Sequence, residues 1–328
     1  MAIGSGLGAQ IGIAAESAYG TFTAPAKFSE FNKESLALKK TTAQSAGVAA
    51  GRMLPLAARR VVVQQEASGG IDMEVTNKGM GLWIQSLMGT SVTPVQQAAT
   101  TAYLQTHTLA DTIGKSLTIQ KGVPLTTGTV TDKTFVGCKV MSGEFSCESG
   151  NLLMATFDID AKDCLEDQVL AVASFPSMSP FGFHQMAVKT GNFGAEVARD
   201  GIRKASVKFE RPQDTGRFYA NQGGRKKEPI ANDQVKITGT LDTDYVDTIL
   251  DDLNTSDGTT SLVLEFVGPL IAATFFETFR ITLPAIKFDE GPPAVDGPAV
   301  VKPQMQFSGL YDGTNQPKIE IISTDVTL

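Results

Sequence analysis

Histidine is nearly missing from this 328-residue chain. His107 and His184 stand alone, which leaves almost no material for a histidine-based catalytic triad or a multi-histidine metal site. Tryptophan is rarer still, with a single Trp83, and the five tyrosines are scattered, so the exposed aromatic groove of a carbohydrate-binding or adhesion module is weakly supported. The three cysteines, Cys138, Cys147 and Cys164, form no CxxC pair and are odd in number. Neither a disulfide framework nor a zinc knuckle is written into them, and buried free thiols are expected. Positive charge is in deficit: 28 Lys and Arg face 35 Asp and Glu, for a net charge of −7. A protein that grips DNA through its phosphates needs the opposite balance. No apolar run approaches the roughly 20 residues that span a bilayer. The first residues lack the basic region and apolar stretch of a secretory signal, so synthesis and assembly in a cytoplasm, away from membranes, are expected.

What is present is β patterning. Alternation or β-branched enrichment marks residues 35–40, 60–75, 115–120, 135–147 and 152–161, with Gly, Pro, Asn and Asp between them. The second half repeats the list at 203–210, 234–241, 261–267, 279–288 and 300–310. At this length two domains are the first expectation.

The order of elements repeats as well. Gly51-Arg52 has a counterpart in Gly216-Arg217, and Gly69 and Ile71-Asp72 recur at the same separation as Gly239 and Leu241-Asp242, each at the end of a strand and before a helical pattern. Met80, Trp83, Ile84 and Leu87 form one apolar face of a short amphipathic helix, and Val246, Ile249, Leu250 and Leu253 form another. Asn77 is the expected N-cap of the first helix and Gly89 its stop. Asp242 or Thr243 should cap the second, with Asn254 closing it. Three strand patterns follow each helix, and the first copy carries a longer insert over residues 90–114. The reading is therefore a tandem duplication: a first unit over 1–165, a linker and start of the second unit over 166–201, and a second unit over 202–328. Pro176 and Pro180 suit a linker draped over the surface. Gly4-Ser5-Gly6-Leu7-Gly8 reads as a flexible arm.

Catalytic motifs fail one by one. Gly114-Lys115-Ser116 resembles the end of a phosphate-binding loop, but the earlier glycine that such a loop requires is Leu109. The N-terminal glycines precede no βαβ unit, so a dinucleotide fingerprint is absent. Basic residues cluster only at Arg59-Arg60 and Arg225-Lys226-Lys227, without interleaved aromatics that could stack bases. Acidic residues instead alternate with apolar ones along strands: Asp72 and Glu74, Glu144 and Glu148, Asp158 and Asp160. Each set belongs to one sheet face, an open surface with no apolar pocket to raise a pKa. No enzyme, cofactor or metal is expected.

At this point the residues resemble the tail tube (major tail) proteins of long non-contractile-tailed bacteriophages. Gly8-Ala9-Gln10-Ile11-Gly12-Ile13-Ala14-Ala15-Glu16-Ser17-Ala18-Tyr19-Gly20-Thr21 is similar to the family's opening strand. Gly69-Gly70-Ile71-Asp72-Met73-Glu74-Val75, followed by the helix ending Trp83-Ile84-Gln85-Ser86-Leu87-Met88-Gly89, resembles its strand-then-helix signature. Ser116-Leu117-Thr118-Ile119 and Phe135-Val136-Gly137-Cys138-Lys139-Val140 are further matches. No one of these is specific; their order carries the resemblance.

The resemblance implies a mainly β fold: a β-sandwich or half-barrel with a flanking α-helix, here in two tandem copies, closing into a ring-shaped β-barrel on oligomerisation. It implies a virion protein whose rings stack into the conduit for genome ejection, with tail terminator, tape measure and distal tail proteins as partners and DNA passing without specific binding. Two units per chain would let three chains mimic a six-chain ring, with a hexamer as the alternative. Glu66, Asp72, Glu74, Glu144, Asp158, Asp242 and Asp244 are candidates for the lumen. The segments 41–58 and 212–232, with Arg52, Arg59, Arg60, Arg217, Arg225, Lys226 and Lys227, are candidates for contacts between rings. A tube of a contractile tail or secretion machine shares the fold and remains open at this stage, as does a β-sandwich binding module.

Overall fold

Between Ala67 and Val75, buried apolar side chains alternate with Ser68, Gly70, Asp72 and Glu74, and period-two alternation turns one face to the core. In the computed structural model, which describes residues 3–295 and 297–328, most of this stretch is the inner end of the strand Arg60–Glu74. That strand belongs to a main antiparallel sheet. In spatial order the sheet runs Ala37–Gln44, Arg60–Glu74, Met154–Ala161, the later part of Val130–Glu148, Ile202–Glu210, Lys236–Thr243, Gln304–Leu310 and the later part of Phe275–Glu290. The protein is mainly β, as its patterning predicts. All ten strand patterns read in the sequence correspond to strands.

Two of these strands are long enough to serve two sheets. Before it enters the main sheet, Val130–Glu148 (19 residues) pairs with Leu117–Pro124 and Asp163–Leu165; beyond Leu117–Pro124 lie Gln10–Ala15 and Lys27–Ser29. Phe275–Glu290 (16 residues) does the same in the second half, with Thr260–Ala272 on one side and Lys318–Ser323 on the other. The insert 90–114 contributes Tyr103–Thr108, which pairs with Lys318–Ser323. A strand from the first half thus completes a sheet of the second. The intervening segment begins its own strand, Met186–Gly191, on the edge of Thr260–Ala272.

One core cluster runs through both halves. Phe145 sits at its centre, its ring 6.0 Å from Phe157, 6.4 Å from Phe209 and 5.3 Å from Phe279. Trp83 stacks on Phe157 at 5.5 Å, and its indole N–H donates to Ser29 Oγ at 3.0 Å, so the one polar atom of a buried tryptophan is satisfied. Burial of large side chains stabilises by roughly 1.5–3 kcal/mol each.

The helices are shorter than their periodicity suggests. Helix α1 is Gly81–Met88 and buries Met80, Trp83, Ile84 and Leu87 as expected; Gly89 ends it with φ 92°. Its N-cap is Met80 and not Asn77. The Asn77 side chain instead donates to Glu277 (2.6 Å) and accepts from the Ser179 backbone N–H (2.9 Å), tying the segment around Ser179 to the first half. Helix α2 is Ile249–Thr255, capped at Thr248, so neither Asp242 nor Thr243 starts it. Leu250 is buried and Leu253 half-buried, but Val246 and Ile249 are exposed. Val246 precedes the helix, just after Tyr245, whose backbone N–H donates to the Val301 carbonyl at 3.1 Å. Asp257, at φ 50°, takes the left-handed position expected of Asn254.

Candidate assembly interface

The main sheet has one face on the core and one in solvent, and cross-strand register shows what the solvent face carries. One row across it reads Lys33, Asp72, Thr156, Glu144, Lys208, Thr238, Ser308, Lys287. The next reads Glu74, Met154, Ser146, Ser206, Thr240, Gln306, Glu290. Apart from Met154 these are polar or charged residues.

Charge on this face is mixed. Asp72, Glu74, Glu144 and Asp158 lie on it as the alternation predicts. The second half, however, contributes lysines among them: Lys208 directly opposes Glu144, and Lys204 opposes Glu148. Asp158 accepts from Ser142 Oγ (2.7 Å), and Asp242 accepts from Gln304 (2.8 Å). Two of the seven carboxylates are committed elsewhere. Glu66 binds Lys226 at 2.9 Å, and Asp244, beyond the strand end, pairs with Arg203 at 3.1 Å. The expected acidic wall is therefore a polar one with acidic excess in its first half.

The two long segments differ in a way their composition does not predict. Residues 212–232 fold back over the first half of their own chain. The Gln65 backbone N–H donates to the Gly224 carbonyl at 2.9 Å. Arg225 pairs with Asp163. Lys226 is fully buried between Asp160 (2.5 Å) and Glu66 (2.9 Å), which corrects its assignment as an exposed contact between rings. Burial raises the Asp160 carboxyl above its ordinary value, against the pull of Lys226. Nearby, Lys139 is buried against Glu228, and Arg211 donates to the carbonyls of Leu87 (2.9 Å) and Met88 (3.0 Å) at the end of α1. That carbonyl end carries partial negative charge and unpaired acceptors. Arg217 binds the Glu228 carbonyl, and Lys227 remains exposed.

Residues 41–44 of the segment 41–58 pair with the strand Arg60–Glu74, and among the described residues the remainder shows no hydrogen bond or ion pair to the second half of the chain. Its apolar side chains stand in solvent, with Val48 97 %, Met53 100 % and Leu54 81 % exposed, flanked by exposed Arg52, Arg59 and Arg60. An exposed apolar segment of this kind marks a candidate contact surface.

The sheet has two open ends. Among the described residues, Ala37–Gln44 has a strand partner on one side only, Arg60–Glu74. At the other end, among the described residues, 287–290 have Gln304–Leu310 as their one strand partner, because Thr260–Ala272 stops opposite Ile286. An open strand edge is an aggregation hazard unless it is short, charged, interrupted by proline or covered.

Chemistry of other kinds is not evident. Among the described residues no group of three or more His, Cys, Asp or Glu is placed to hold a metal ion, and no helix is long and apolar enough to cross a membrane. His107 is fully buried, and burial pushes its pKa down to about 4. All three cysteines are buried thiols.

A family model described as phage tail tube protein matches residues 6–309. The chain belongs to that family. The match spans both halves of the main sheet and both long segments, so the sheet with its open ends belongs to a tail tube fold, in a structural family of self-assembling virion proteins. No curated protein matches the sequence. Of the contacts that sequence reasoning missed, Arg211 with α1 carries one signal in the sequence, a charged residue on the parity of the buried Ala205, Val207 and Phe209, whereas Lys139, between the core residues Cys138 and Val140, carries none.

Proposed function

We propose that copies of this chain close head to tail into a ring, and that the rings stack into the tube of a non-contractile phage tail through which the genome is ejected. The observation that carries this reading is the sheet with two open ends and one continuous polar face. Each half supplies four strands in the same spatial order. From Ala37–Gln44 the first half runs through Arg60–Glu74 and Met154–Ala161 to the later part of Val130–Glu148. From Ile202–Glu210 the second runs through Lys236–Thr243 and Gln304–Leu310 to the later part of Phe275–Glu290. This supports two tandem tube units, over 1–165 and 202–328. A heterologous contact closes when its rotation suits. Two units per chain make three chains the equivalent of six single units.

In such a ring the polar face lines the lumen. Its carboxylates Asp72, Glu74, Glu144, Asp158 and Asp242 keep DNA phosphates from adhering, over the roughly 8 Å that screening allows, while Lys208 and Lys204 on the same face stand opposite Glu144 and Glu148, which offset their charge. Of the two segments with inter-ring chemistry only 41–58 is free, and its exposed Val48, Met53 and Leu54 reach the neighbouring ring. The protein acts as a scaffold, without catalysis or cofactor, and meets the tape measure, terminator and distal tail proteins in the assembled tail.

Electron microscopy of the purified chain tests the reading. Hollow stacked rings are the expected result. A monodisperse monomer at high concentration, with no ordered assemblies, would refute it.

A further inference from the structure

The junction between the two halves of one chain is a template for the junction between chains. This inference rests on the ring reading and adds a register to it. Inside the chain, residues 142–148 pair antiparallel with Ile202–Glu210. Glu210 stands opposite Ser142, and the Arg211 N–H donates to the Met141 carbonyl at 2.8 Å.

Pairing patterns fix which residues are equivalent. At one end, Lys33 opposes Asp72 as Lys204 opposes Asp242, and the strands then run on without a shift, so Lys39 takes the place of Glu210 and Lys40 that of Arg211. At the other end the same bulge recurs. The pair Ile159 and Val140 is followed by Asp158 and Ser142, skipping Met141; the pair Phe307 and Phe288 is followed by Gln306 and Glu290, skipping Asp289. Glu290 therefore takes the place of Ser142 and Asp289 that of Met141.

We propose that the edge strand Ala37–Gln44 of one copy pairs antiparallel with the Glu290 end of the next, with Lys39 directly opposite Glu290 on the lumen face and the Lys40 N–H donating to the Asp289 carbonyl. The charges fit: one open end presents Lys39 and Lys40, the other Asp289 and Glu290, all exposed or half-exposed in the free chain. Opposite charges across a strand pair are favourable and like charges are not, so the edges select head-to-tail over self-pairing. Pro292 and Pro293 follow Glu290 and lack N–H groups, which limits what else can extend that edge.

The test is a cysteine pair, Lys39→Cys with Glu290→Cys, in the full chain. Directly opposed residues of antiparallel strands lie about 4.5–5.5 Å apart at Cα, within the span a disulfide bridges, and the native cysteines are buried. Oxidation of assembled protein should link copies into a ladder that ends at the ring's chain number. The control pair Lys40→Cys with Glu290→Cys puts the thiols on opposite faces and should not link. In parallel, Lys39→Glu should block ring formation, and adding Glu290→Lys should restore it, which a loss of folding would not allow. If rings form but only the control pair links, the register is wrong and the ring stands. If the native chain forms no rings, both fall.

Discussion

The ammonium group of Lys226 lies 2.5 Å from the carboxylate of Asp160 and 2.9 Å from that of Glu66, fully buried where the second half of the chain folds over the first. A basic residue that composition marks as a solvated loop is the pin that joins the halves. Removing one partner of a buried ion pair strands the other and costs about 3–5 kcal/mol. Lys226→Met should therefore destabilise the chain by that order in urea unfolding, and adding Asp160→Asn should recover part of the loss. Equal stability of Lys226→Met and wild type would show that the pair carries no weight.

His107 links stability to acid. Its pKa falls from an ordinary 6.5 to about 4 in the fold because burial disfavours the charged ring. A depressed pKa means that the unfolded chain binds the proton first. The stabilisation is complete above pH 6.5 and is lost as pH falls toward 4, by up to about 3 kcal/mol at 1.36 kcal/mol per unit. His107→Leu should flatten this part of the pH profile relative to wild type. An unchanged difference between pH 7 and pH 4.5 would contradict the assignment.

Gly239 is fixed by backbone crowding. A Cβ there would stand 2.3 Å from the Ser206 carbonyl oxygen and 2.3 Å from the Phe307 ring. Gly239→Ala should cost about 1–3 kcal/mol, the usual penalty of overpacking, whereas Gly216→Ala, with nothing nearer than 3.5 Å, should be close to neutral. Thermal melting of the two variants separates these outcomes.

Strands, the buried faces of Trp83 and Leu250, and the polar alternation of the main sheet were legible because each is a local pattern of period two or 3.6. The start of α2 differs from the expectation because Val246 fits a helical face, while the Tyr245 N–H is taken by the Val301 carbonyl and the helix begins only after Thr248. Tyr103–Thr108 went unread inside the insert because its partner, Lys318–Ser323, lies at the far end of the chain, and long-range pairing leaves no local mark. The same blindness hid the clasp. Nothing local in residues 212–232 marks that Arg225 and Lys226 find their carboxylates, Asp163 and Asp160, in the first half of the chain.

The arm itself can be removed. Deleting residues 47–57, which lie outside the strands and are exposed apart from the half-buried Ala49, should leave the chain folded and ring closure intact while preventing stacking. Electron micrographs should then show isolated rings in place of tubes. Tubes of normal length would show that the arm does not join rings.

The most direct test of the account is the number of chains in one ring, counted by cryo-electron microscopy or native mass spectrometry of the assembled tube. Two strand sets per chain predict three copies per ring around a lumen lined by the face that carries Asp72, Glu144 and Thr238. Six copies per ring, or a lumen lined by any other face, would contradict it.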